Sequence, residues 1–235
     1  MPFSTQATDT VGINYDGTAR TCQALFPLLR PHARVVTVSS MAGQSALAKL
    51  SADLKERIVS GCETEEEVAD FVHEFVADCV EGTNMEKGWP LSAYGMSKLG
   101  LMGLTRAQSH PEALKRMGVL DPTGVLVNCC CPGACVSDMA SLITANVDNK
   151  FMKSAAQGAD TVNWLALLPV GATLTGMMAR PRQFLTDQGS DALPIDWLEW
   201  TCWSQANGGA YYLEAEDGAK AQKQQEMAKA PMSGL

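Results

Sequence analysis

Positive charge is scarce in this sequence. It carries 18 Lys and Arg against 26 Asp and Glu, a formal net charge of −8, and no Lys/Arg-rich run. That excludes nucleic acid and anionic membrane as expected partners. No apolar stretch approaches the roughly 20 residues that a bilayer span requires. The opening Met1-Pro2-Phe3-Ser4-Thr5-Gln6 lacks the basic and apolar regions of a signal peptide, so a cytoplasmic location is expected. There are eight cysteines but no C-x-x-C pair, and His32, His73 and His110 lie far apart. Zinc-site spacings are therefore missing. Cys129-Cys130-Cys131, with Cys135 nearby, is read as reduced thiols in a buried strand of a cytosolic protein. What is present suits one globular domain: 235 residues, 46% of them hydrophobic.

Taken in order, the chain alternates helical and strand patterns. Ala19, Cys22, Leu25, Phe26 and Leu29 recur at threes and fours, which predicts a helix over 14–29 that Pro31 ends. Arg34-Val35-Val36-Thr37-Val38-Ser39-Ser40 is a short β-branched run, suited to a parallel sheet buried on both faces. It is expected to enter a loop at Met41-Ala42-Gly43. Residues 44–92 form a helical insertion. Within it, Thr64-Glu65-Glu66-Glu67 is a capping box. Val68, Phe71, Val72, Phe75, Val76 and Cys79 make one apolar face, and Gly82 is the stop. A helix from Ser92 runs past Leu104 until His110-Pro111 closes it. Val125 to Cys131 is a second strand, ended by Pro132-Gly133, and a helix between two such strands is a βαβ unit. Helical character resumes over 155–168. Residues 170–207 are irregular or lid-like, with Trp197, Trp200 and Trp203 spaced for one helix face. Gly208 to Leu213 is a last short strand, and the polar tail occupies 219–235.

Chemistry concentrates at Ser92-Ala93-Tyr94-Gly95-Met96-Ser97-Lys98. Helical spacing stacks Tyr94 and Lys98 on one face, a turn apart. An ammonium ion beside a phenol favours the phenolate and draws the phenol down from its usual pKa of about 10. Such a group exchanges a proton with a carbonyl oxygen or an alcohol near neutral pH. The same spacing also fits an ordinary packed ring beside a solvated amine.

Asn14-Tyr15-Asp16-Gly17-Thr18, Val36-Thr37-Val38-Ser39-Ser40, the Tyr94-Lys98 segment, and Asn128-Cys129-Cys130-Cys131-Pro132-Gly133 with Ser137-Asp138-Met139 occur in that order. Together they resemble the short-chain dehydrogenase/reductase family, and within it the monomeric carbonyl reductases. The long gap between Ser40 and Tyr94 resembles the extra helical segment of that branch, which covers the face other members use for association. The resemblance implies an α/β fold: the C-terminal half of a Rossmann-like, doubly wound parallel sheet with a helical insertion, one domain over 1–218. It implies reduction of a small aldehyde or ketone with NADP as cofactor, NAD being left open, in a chain that is a monomer when the fold is whole. Tyr94 would donate the proton. Lys98 would hold the nicotinamide ribose and lower the Tyr94 pKa. Ser40 would hold the substrate carbonyl, with Ser39 as a rival. Asn14 would anchor a water leading to Lys98, or else be a helix N-cap. Pro132, Gly133, Cys135, Val136 and Ser137 would contact the nicotinamide end, although Pro132-Gly133 also fits a plain strand-ending turn.

The Gly-rich turn that opens such folds and cradles a pyrophosphate has no counterpart here. The expectation is a truncated chain lacking four strands, about 90 residues on the scale of βαβ units of 30 or more. One sheet edge would then be open and prone to pair with other chains. Two rival readings follow: a catalytically silent, partner-binding remnant, and a fold-sharing epimerase or dehydratase that also uses Tyr and Lys.

Overall fold

The computed structural model describes residues 1–138, 152–179 and 194–195. The chain starts with helix α1 (Phe3–Val11), passes through a π-helical turn (Gly12–Asp16) into α2 (Gly17–Leu25), and tightens into a 3₁₀ turn at Phe26–Leu28. Strand β1 (Arg34–Val38) follows, then α3 (Met41–Lys49), α4 (Ala52–Glu56), a second π turn (Arg57–Gly61), α5 (Glu65–Glu81), α6 (Ala93–Gln108) and α7 (Pro111–Arg116). Strand β2 (Leu126–Cys130), helix α8 (Ala155–Ala166) and the two-residue strands β3 (Met178–Ala179) and β4 (Pro194–Ile195) complete it. The sheet order is β1-β2-β3-β4; the first three strands are parallel and β4 is antiparallel. Arg34 pairs with Leu126 and Val38 with Cys130 across the first ladder. This is a partial Rossmann-like α/β sheet.

All five residues of β2 are buried, as a central strand covered on both faces requires. Its side chains divide by parity. Cys129, and Cys131 just past the strand, join the larger core with α1, α3, α5 and α6, while Cys130 joins a smaller one with Leu165 of α8 and Ala179 of β3. The seven described cysteines are free thiols. Burial pushes the thiols of Cys129 and Cys130 up to about 12.

Several expected boundaries are observed. The Thr64–Glu67 capping box is formed, and Gly82 ends α5 in the left-handed region at φ 75°. His110 is extended and Pro111 opens α7, so α6 stops where expected. Two expectations are corrected. The first helix begins at Phe3 rather than at Asn14. Met41-Ala42-Gly43 is the first turn of α3, because the Ser40 hydroxyl caps the Ala42 N–H at 3.2 Å and starts a helix at once. The third strand at Met178–Ala179 falls in the stretch read as irregular. Trp197, Trp200, Trp203, the strand expected at Gly208 to Leu213 and the tail lie outside the described residues.

The helical segment between β1 and α6 is held by aromatic packing. Trp89 meets Phe71 and Phe75 edge-on, at centroid distances of 4.9 and 5.7 Å. Its indole N–H donates to buried Asp78 at 2.7 Å, and Lys87 pairs with the same carboxylate.

Candidate active site

Helix α6 delivers the phenol and the amine. The Ser92 hydroxyl caps its start by accepting the Gly95 N–H at 3.1 Å. That places Tyr94 in the first turn, 40% exposed, with Lys98 one turn on. The Lys98 Nζ lies 5.6 Å from the centroid of the Tyr94 ring. It donates to the Val38 carbonyl oxygen at 2.9 Å. Burial pushes the Lys98 ammonium below its ordinary pKa, and the nearby Cys131 sulfur acts in the opposite direction.

Asn14 is not a helix N-cap. It lies inside the π turn, flanked by helical residues on both sides. Its side-chain amide donates to the Ser97 hydroxyl at 3.0 Å, and Ser97 donates to the Tyr94 carbonyl oxygen at 2.8 Å. A relay of polar contacts thus fixes the first helix against the turn that carries Tyr94. Ser97 was not singled out from the sequence. The sequence signal was a polar residue directly before Lys98 on an otherwise apolar helix, and the structure buries it fully.

Two serines end β1 and do different things. Ser39 is buried and donates to the Lys98 carbonyl oxygen at 2.9 Å, tying strand to helix. Ser40 is half-buried, and its oxygen accepts the Ala42 N–H, which leaves its own proton free to donate. Ser39 is thereby committed to the scaffold. The first turns of α3 and α6 abut. A Cβ on Gly95 would fall 2.9 Å from the Ala42 carbonyl oxygen, and one on Gly43 2.8 Å from the Leu99 nitrogen. Ser40 and Tyr94 therefore belong to two helix starts in contact, at the carboxyl end of the sheet.

The loop after β2 reaches the same end. Gly133 takes φ 85°, which a side chain would strain, and its N–H points at the Cys131 sulfur at 3.3 Å. Cys135 pairs as an isolated bridge with Lys153. The Val136 N–H donates to the Lys153 carbonyl and the Lys153 N–H to that of Ala134, both at 2.8 Å. Ser137 donates to the Cys135 carbonyl oxygen. Buried Lys153 also lies near Cys131 and Cys135, and burial lowers its pKa. Behind β2, the Asn128 amide donates to the Leu174 carbonyl and accepts the Met177 N–H, which fastens the approach to β3.

No family model matches the sequence. Human carbonyl reductase [NADPH] 1 is 39% identical over 171 residues, covering 73% of this chain and 58% of that protein. The chain resembles the carbonyl reductases of the short-chain dehydrogenase/reductase family. Rat carbonyl reductase [NADPH] 3 is also 39% identical, over 172 residues with the same coverage. Among solved structures, salutaridine reductase from Papaver somniferum matches with TM-score 0.58 and 28% identity, covering 74% of this chain and 55% of that one. Menthone neomenthol reductase from Mentha piperita gives 0.54 and 27%, over 76% and 52%. The chain spans a little over half the length of these reductases. No helix among the described residues is long and apolar enough to cross a membrane.

Proposed function

We propose that this chain carries the proton-delivering part of an NADPH-dependent carbonyl reductase acting on a small aldehyde or ketone. The observation that supports it is the pairing of Tyr94 with a half-buried Lys98 on one helix face, at the carboxyl ends of β1 and β2. Ligand sites in open α/β sheets favour that end. Tyr94 would hand its hydroxyl proton to the substrate oxygen, and the Lys98 ammonium would stabilise the phenolate left behind. Ser40, with its proton uncommitted, would donate a hydrogen bond to the same oxygen and stabilise charge growing there. Asn14 would hold Ser97 and so the Tyr94 turn in place.

The residues present fit the nicotinamide end of the cofactor. Lys98 would hold the ribose hydroxyls. The Pro132-Gly133 turn with Cys135, Val136 and Ser137 offers a backbone that approaches closely because Gly133 has no side chain. When bound, NADPH supplies the hydride. The name carbonyl reductase [NADPH] borne by the relatives favours NADP over NAD.

One observation favours the second reading, a silent and partner-binding remnant: β1 is an edge strand of the described sheet, and Val38 is 45% exposed. Titration with NADPH, followed by nicotinamide fluorescence, separates the two. The reductase reading expects saturable binding in the micromolar range and oxidation of NADPH by a panel of aldehydes and ketones. No binding at millimolar NADPH would leave the remnant reading in its place.

A further inference from the structure

One peptide group in the loop after β2 is gripped from both sides by sulfur. The bond between Pro132 and Gly133 is trans, so its C=O and N–H point in opposite directions. The Gly133 N–H donates to the Cys131 sulfur at 3.3 Å. On the other side, the Cys135 thiol donates to the Pro132 carbonyl oxygen at 3.7 Å and to that of Gly133 at 3.6 Å. Such lengths suit a thiol, a large atom and a weak donor. Cys131 is buried at the end of the strand, while Cys135 is half-buried and reaches back from beyond the turn.

Cys135 is itself held by the helix that follows. Gly158 is buried in the first half of α8, and a methyl there would collide with the Cys135 sulfur. The same methyl would meet Pro132 at an ordinary 3.7 Å. Cys135 also forms its bridge with Lys153, the residue before the Ser154 cap of α8, and the Val136 and Lys153 amides close that bridge. One S–H donor adds little strength. A sulfur seated between a turn and a glycine on a helix nevertheless fixes where the turn stands against that helix.

We propose that the Cys135 side chain is a positioning residue, a pin that seats the Pro132-Gly133 turn against Gly158 of α8 and so sets the loop for the nicotinamide end of the cofactor. Its thiol is engaged by the turn and by α8, so it acts on the cofactor through the turn rather than by contact. The effect on NADPH rests on the reductase reading of this loop; the pin itself does not. A cysteine that merely filled space would behave otherwise. Its loss would lower stability and leave cofactor affinity alone.

The test uses the 235-residue chain with two single variants and their combination. Cys135→Ala removes the pin. Gly158→Ala evicts it while leaving the loop's own sequence intact, and alanine in place of a helical glycine should keep or raise the thermal midpoint. In both variants amide hydrogen exchange at Val136 and Lys153 should quicken by about tenfold. The KM for NADPH should rise by about tenfold while kcat changes by less than about threefold. The double variant should match Cys135→Ala, because the added methyl then has no sulfur to displace. Unchanged exchange in the single variants, or effects that multiply in the double, would overturn the pin. Faster exchange with an unchanged KM would overturn its effect on the cofactor. A parent chain that binds no NADPH would refute the reductase reading, and the exchange measurements would still decide the pin.

Discussion

The two flanks of α6 are built differently. On the α5 side, Trp89, Phe71 and Phe75 close on one another, and the buried Asp78 carboxylate finds an indole N–H and an ammonium. On the β1 side, the amides of Arg34, Val36 and Val38 face a groove, and the Lys98 ammonium at the strand's end bonds the Val38 carbonyl there. The first flank is satisfied within the chain and acts as a fixed support. The second is a sheet edge with no strand beside it among the described residues, next to the candidate chemistry. Tyr94 and Lys98 stand on the helix between these flanks, and the Lys98 Nζ bonds the Val38 carbonyl oxygen on the open side.

Substitutions can break that contrast. The largest effect is expected from Trp89→Ala, which empties a ring site and strips Asp78 of a donor. It should cost about 3–5 kcal/mol and lower the thermal midpoint sharply. A melt within a degree or two of the parent would mean the α5 flank is not the support described. Gly95→Ala should come next. Its methyl would press on the Ala42 carbonyl and the Ser92 hydroxyl, costing about 1–3 kcal/mol and spreading the two helix starts. Carbonyl turnover should fall more than NADPH affinity, which steady-state kinetics beside fluorescence titration would show.

The pH dependence sharpens the comparison of the interior thiols with Lys98. Cys129 and Cys130 are raised from about 9 to about 12. The unfolded chain releases those protons first, so stability is intact below pH 9 and falls as pH rises towards 12. Denaturant midpoints between pH 8 and 11 should record that decline, and Cys130→Ala should flatten it. Lys98 works in the opposite sense. Its folded pKa is depressed, so the unfolded chain holds its proton to higher pH and this group's contribution to stability rises with pH below its ordinary pKa. Lys98→Met should accordingly keep or raise thermal stability at neutral pH while abolishing turnover. The smallest effect belongs to Ile13→Glu, at an exposed position, with a stability change of about 0.5 kcal/mol or less.

Local chemistry explains what was legible beforehand. Thr64, Glu67 and Gly82 mark a helix whose caps close within a few residues, so the pattern alone locates it. The β-branched run at 34–38 and the apolar run at 126–130 are likewise local. The start of the first helix was hidden. Phe3–Val11 has no side-chain cap, and its buried stripe is carried by Ala7 and Val11 before Tyr15. Gly43 suggested a loop, yet it is there because α6 comes so near that only hydrogen fits. Strand β3, two residues long, has no room for a periodic pattern. At the site, Tyr94 and Lys98 were visible through their spacing. The Asn14–Ser97 bond and the Val38 carbonyl under Lys98 were not, since each joins residues 60 or more positions apart and arises from packing.

The most direct measurement compares Tyr94→Phe with the parent chain under saturating NADPH, reading carbonyl reduction and cofactor affinity together. Loss of the hydroxyl should reduce turnover by at least a hundredfold, within the range attributed to a positioned proton donor, and leave NADPH affinity within a factor of about three. Turnover by Tyr94→Phe equal to that of the parent would contradict the account.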